Sequence, residues 1–143
     1  LAPGGGYVEF ERIVSGPGLL TVYTTLCDLQ AEAPKLATPE AVTAAAAAGS
    51  DARAVEAVEI FCASLGSLAG NLALAFMATG GVYLAGGFLS SMFALLERSA
   101  FEERFLHGRS ARALLSQVPV WVTEHGRHGV LGAARWYLGR LAA

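Results

Sequence analysis

At 143 residues, with 54% apolar and only 15% charged side chains, the sequence holds enough apolar material for one sizeable core, which excludes a disordered segment. A net charge of −2 argues against a nucleic-acid surface. The charge is uneven: eight Asp/Glu face three Lys/Arg through Leu96, and four acids face seven arginines from Glu97 onward.

The chain opens on a glycine turn and a short apolar–polar alternation, Tyr7-Val8-Glu9-Phe10, followed by Glu11, Arg12, Ile13 and Val14. Ser15–Gly18 (SGPG) reads as a turn that starts a helix, with Pro17 suited to the first helical turn. That helix is predicted from about Gly18 to Ala33, with Leu19, Val22, Tyr23 and Leu26 on its core face and Pro34 as its stop. Thr38 then caps a second helix with Pro39 at its first position; the alanine run Ala44–Ala48 carries it to Gly49.

Ser50 or Asp51 caps the longest predicted helix, which reaches about Ala78. Val55, Val58, Cys62, Leu65, Ala69, Leu72 and Phe76 form one continuous apolar stripe on it. Ala63, Gly66, Gly70 and Ala73 form a second stripe of small residues, which calls for another backbone close on that side. Asn71, the one strongly polar side chain in its middle, is read as a satisfied buried amide.

Thr79–Phe88 (TGGVYLAGGF) is the stretch around which the rest is arranged. Val82–Ala85 has the composition of a buried strand, with a glycine pair at each end. Gly86–Gly87 at a strand–helix turn has two readings, a steric necessity or a place where backbone approaches a nucleotide closely. Helices are predicted over Phe88–Glu97, Ser99–His107 and Ser110–Ser116, a second strand over Val120–Thr123, and a closing helix from Gly129. Two strands each followed by a helix imply a parallel pair with crossover connections. Such a sheet needs more strands than this chain contains, so the sequence reads as a piece of something larger or of an oligomer. Its start at Leu1 instead of Met points the same way, to a processed or truncated fragment.

Cys27 and Cys62 lie on apolar helical faces and read as buried small hydrophobes, and His107, His125 and His128 form no metal-ligand pattern, so no metal site is assigned. The seven late arginines are spread over several predicted elements, which favours a solvated face over a phosphate-binding stripe. No charge occurs between Glu59 and Glu97, a gap long enough for a membrane span. The glycine pairs and the switch to strand character inside it, with no flanking basic cluster, favour a buried core and no membrane.

Three stretches in order resemble the C-terminal part of the bacterial glucokinases, in the hexokinase and actin-like ATPase superfamily. ERIVSGPGL (Glu11–Leu19) is similar to the family's ERxxSGPGL segment. GNLAL (Gly70–Leu74) running into GGVYLAGG (Gly80–Gly87) resembles its helix and adenosine-side strand. VPVWVTEH (Val118–His125) before GVLGAA (Gly129–Ala134) resembles its last strand and closing helix. The resemblance implies an α/β, helix-rich C-terminal portion, residues 1–143, of a ribonuclease H-like (actin-like ATPase) domain. The implied activity is cytoplasmic ATP-dependent phosphorylation of glucose at its 6-hydroxyl. It implies that Glu11 accepts hydrogen bonds from the sugar, that Gly86 and Gly87 lie against the adenosine, and that Gly129 and Gly132 line the same pocket. ATP and Mg2+ are the implied cofactors, glucose the substrate, and the missing N-terminal portion and a second copy of the chain the implied partners. The family's DxGGT phosphate loop, catalytic aspartate, second phosphate loop and EGGH sugar motif are not found here, so the chain alone is expected to lack the catalytic base and to be inactive. A non-catalytic interaction or regulatory module on the same scaffold is the alternative.

Overall fold

The computed structural model describes residues 7–86, 88–89, 92–107, 110–123 and 128–141, with the backbone alone at 128, 140 and 141. A 3-10 turn at Phe10–Arg12 leads into α1 (Gly16–Leu29), α2 (Pro39–Ala48) and the long α3 (Ala52–Ala75). Then come β1 (Val82–Leu84), α4 (Phe93–Glu97), α5 (Phe101–Phe105), α6 (Arg112–Leu115), β2 (Val120–Val122) and α7 (His128–Leu141).

Helices α1, α2 and α5 all pack on α3. Each of the first three helices starts on a side-chain cap: Ser15 Oγ accepts from Gly18 N–H, Thr38 Oγ1 from Ala41 N–H, and Asp51 Oδ1 from Ala54 N–H. The predicted starts therefore hold, with Asp51 rather than Ser50 capping α3. The ends come earlier than predicted. Ala31 (φ +55) and Met77 (φ +48) adopt the left-handed conformation after α1 and α3. In each case the next residue closes back onto the last turn, Glu32 N–H on Cys27 O and Ala78 N–H on Ala73 O, both at 2.9 Å. Neither stop uses glycine, so no residue pattern marks it in advance; Gly49 (φ +65), which ends α2, does mark its own.

The core centres on α3. Val58, Phe61, Cys62 and Leu65 are buried there against Leu19, Val22 and Tyr23 of α1. Burial of each large side chain is worth about 1.5–3 kcal/mol relative to exposure. The apolar stripe is buried only over its middle: Val55, Leu72 and Phe76 are exposed, while the neighbouring Ala54 and Ala73 are buried, so towards its ends α3 is covered on its small-residue side instead. Asn71 is exposed too, not a buried amide. The small-residue stripe behaves as predicted. A Cβ on Gly66 would collide with the Phe101 carbonyl, and one on Gly70 would lie 2.5 Å from the Phe105 carbonyl oxygen, so α5 presses its backbone into α3.

Strands β1 and β2 pair in parallel, Val82 with Val120, Tyr83 with Trp121 and Leu84 with Val122, as the crossover pattern requires. Val82 N–H donates to Pro119 O and Thr123 N–H to Leu84 O. The alternation of a parallel ladder therefore turns the Tyr83 N–H and C=O to the opposite edge, where no strand pairs among the described residues. The strand is not buried on both faces. Leu84 faces the core, whereas Tyr83 is 66% exposed and stacks on Trp121 with ring centroids 4.7 Å apart.

The short crossover helices contract relative to their predicted spans, and residues 88–89 are helical ahead of α4. Helix α3 is long and apolar enough to cross a membrane by length and composition. The same properties belong to a core helix, and the helices packed on it give it that place. Cys27 and Cys62 are both free and buried, as expected.

Candidate functional site

Glu11 occupies the middle of the 3-10 turn, which is closed by Ile13 N–H and Val14 N–H donating to Phe10 O. Its side chain is exposed and borders a shallow hollow of about 320 Å³ shared with Glu9, Arg12, Ser15 and Thr21. An ionised carboxylate there is acceptor-only and can take two hydroxyl donors at once. The turn is fixed to α1 by Ser15. Its hydroxyl donates to the Glu11 carbonyl oxygen at 2.6 Å while accepting from Gly18 N–H at 2.9 Å. Gly18 is required by contact: a Cβ there would sit 2.6 Å from the Ile13 carbonyl oxygen.

Gly86 follows β1 with φ +156, a conformation that favours glycine, and it is exposed. The space above it is open, since an added Cβ would meet only Leu89 Cδ1, at 4.0 Å. Just beyond, Phe88 packs edge-on against Phe61 of α3, centroids 5.7 Å apart, which anchors the chain after the turn to the core. Gly87 lies outside the described residues. Gly129 and Gly132 lie on α7 with open space around both. Gly86, Gly129 and Gly132 do not border the hollow of Glu11.

The larger cleft, of about 500 Å³, lies elsewhere, between the core face of the sheet and α4–α6, with Leu84, Phe101, Phe105, Leu115 and Val122 among its walls. Among the described residues no three His, Cys, Asp or Glu side chains are arranged to hold a metal ion.

Sequence reasoning singled out Glu11 as a candidate and did not foresee the bonds around it. Ser15 was legible only as part of a helix start. The overlooked signal is that a serine four residues after Glu11 and three before Gly18 can bond both ways.

A pair of parallel strands joined by a helical crossover and backed by a long core helix defines a helix-rich α/β fold. A glucokinase family model matches residues 1–139, and the chain belongs to the glucokinase family. A glucokinase-like protein of Xylella fastidiosa is 48% identical over 136 residues, 95% of this chain and 41% of the relative. A glucokinase of Saccharophagus degradans is 38% identical over 92% of this chain and 41% of its own length, and one of Chromobacterium violaceum is 39% identical over 96% and 39%. The crystal structure of a glucokinase from an Antarctic psychrotroph superposes with a TM-score of 0.75 at 33% identity, over 83% of this chain and 37% of that one. The chain thus spans about two fifths of the length of the relatives it matches.

Proposed function

We propose that the chain is the C-terminal segment of a cytoplasmic ATP-dependent glucose 6-phosphotransferase, in which Glu11 binds the sugar. The observation that carries this reading is the exposed carboxylate of Glu11 at a surface hollow, on a turn locked to α1, in a chain that a glucokinase model matches over residues 1–139. Glu11 takes hydroxyl protons of the sugar as hydrogen bonds, which orients it without doing chemistry on it. Gly86 and Gly87 form part of the adenosine wall. The open space above Gly86 suits that role, and Gly129 and Gly132 line the same wall from α7. The catalytic base, the phosphate loops and the Mg2+ ligands come from the remaining three fifths of the enzyme, which also covers the open edge of β1. Glucose and ATP are the ligands, and two copies of the assembled enzyme form the dimer.

The test is a coupled assay with ATP and glucose. The chain alone gives no turnover, and the complete polypeptide gives turnover at rates ordinary for kinases, on the order of 1–100 per second. Turnover by the isolated chain would overturn the division of labour. One observation favours a second reading, a non-catalytic interaction module: the 48%-identical relative is itself named glucokinase-like. A complete polypeptide that binds but never phosphorylates glucose would select it.

A further inference from the structure

We propose that Ser15 is a positioning residue for the sugar contact: its hydroxyl fixes the peptide that carries Glu11, through a hydrogen bond that capping α1 does not require. The inference rests on the reading of Glu11 as a sugar-binding carboxylate.

A helix cap needs only an acceptor for the orphan N–H groups of the first turn, and Ser15 supplies one to Gly18. Its single proton goes the other way, to the Glu11 carbonyl oxygen at 2.6 Å, a short bond even for a hydroxyl donor. Anchoring that oxygen fixes the peptide plane next to the Glu11 Cα and so the direction in which its side chain leaves the turn. The carboxylate itself has no hydrogen bond or ion pair among the described residues, so the order that the protein gives Glu11 comes through its backbone, which sets where the side chain starts.

The other end of the linkage is rigid. Leu19, Val22 and Tyr23 of α1 are buried, and Gly18 rests against the Ile13 carbonyl with no room for a side chain. A backbone held this way does not have to be ordered when the sugar arrives, which leaves the Glu11 side-chain torsions as what remains to be fixed. The loss of that preorganisation reads out in sugar affinity.

The experiment separates the two bonds in the complete kinase. Ser15→Asp keeps an acceptor for Gly18 and lacks a proton to donate; Ser15→Gly is neutral, remains a tolerated cap and also lacks the donor. Both are expected to raise KM for glucose about fivefold, the worth of one hydrogen bond, with KM for ATP and the melting temperature of the Ser15→Asp enzyme unchanged. Ser15→Thr, which restores donor and acceptor, returns KM for glucose to the wild-type value. Because Ser15 acts through Glu11, adding Ser15→Asp to Glu11→Ala costs nothing beyond Glu11→Ala alone. A wild-type glucose KM in both donor-less variants, or losses that add in the double variant, would overturn the inference while leaving Glu11 in place. An unaltered glucose KM in Glu11→Ala would overturn the sugar reading and this inference together.

Discussion

Cys62 is wholly out of water on α3, and burial pushes its thiol up from 9.0 to about 11; the Ser99 hydroxyl opposes that shift and the Glu59 carboxylate adds to it. The thiol is therefore inert near neutral pH, since the thiolate is the reactive form. In the unfolded chain the proton leaves near 9, while the folded chain holds it to about 11. The stability this group contributes is intact below pH 9 and is lost as pH rises through 11. The expected outcome is that urea unfolding monitored from pH 8 to 11 shows a loss on the order of 2 kcal/mol, part of which disappears in Cys62→Ala. A profile flat across that window would contradict the burial argument. Tyr23 works in the same direction, its hydroxyl raised chiefly by burial, with Lys35 N–H opposing and the Asp51 charge among the groups that add.

At the scale of elements, the contact of α3 with α5 decides the packing. Gly66 and Gly70 meet backbone carbonyls, which cannot swing aside as a flexible side chain would. Gly66→Ala and Gly70→Ala are expected to destabilise by about 1–3 kcal/mol each, even though alanine is the better helix former by about 1 kcal/mol. Gly139→Ala, in α7 with nothing near it, is expected to be neutral or stabilising in the same denaturant titration. If all three variants behaved alike, the close approach would be refuted. This contact was legible in the sequence because glycine weakens a helix, so a row of small residues along one side pays off only where a second backbone comes close. The exposure of Leu72, Phe76 and Asn71 was not. An apolar stripe reports which side of a helix can be buried, but not where along the axis the packing turns to the adjacent small residues, as it does at Ala73 beside exposed Leu72. The early ends of α1 and α3 were hidden for a related reason: alanine and methionine carry no left-handed signature, and tertiary packing imposed the turn at Ala31 and Met77. For the candidate site, the sequence singled out Glu11 but not the Ser15 hydroxyl that bonds its backbone carbonyl, because a side chain-to-carbonyl bond depends on a turn geometry that pattern alone does not specify.

Among the described residues, two of the surfaces that leave apolar side chains uncovered lie outside α3. One is the Tyr83–Trp121 face of the sheet with the unpaired edge beside it. The other is α7, where Val130, Leu131, Tyr137 and Leu138 are each at least 60% exposed. An open strand edge next to exposed aromatics is a template for pairing with another chain. The isolated chain is accordingly expected to self-associate at micromolar concentration. Sedimentation velocity is the check, and a monomer with cooperative thermal unfolding would refute the expectation. The two-strand sheet and its parallel sense were readable from alternating strands and helices. That one face would stay open was not, since an apolar strand looks the same whether or not its cover is present.

The stacked Tyr83–Trp121 pair also gives the protein an optical signal of its own. With the indole 42% exposed and its ring lying on a phenol, Trp121 emission should be red-shifted while the surface is wet and should move to the blue when a neighbouring segment seals it. With Trp136 replaced by phenylalanine, fluorescence would follow assembly of the complete sheet in real time, with no dye attached.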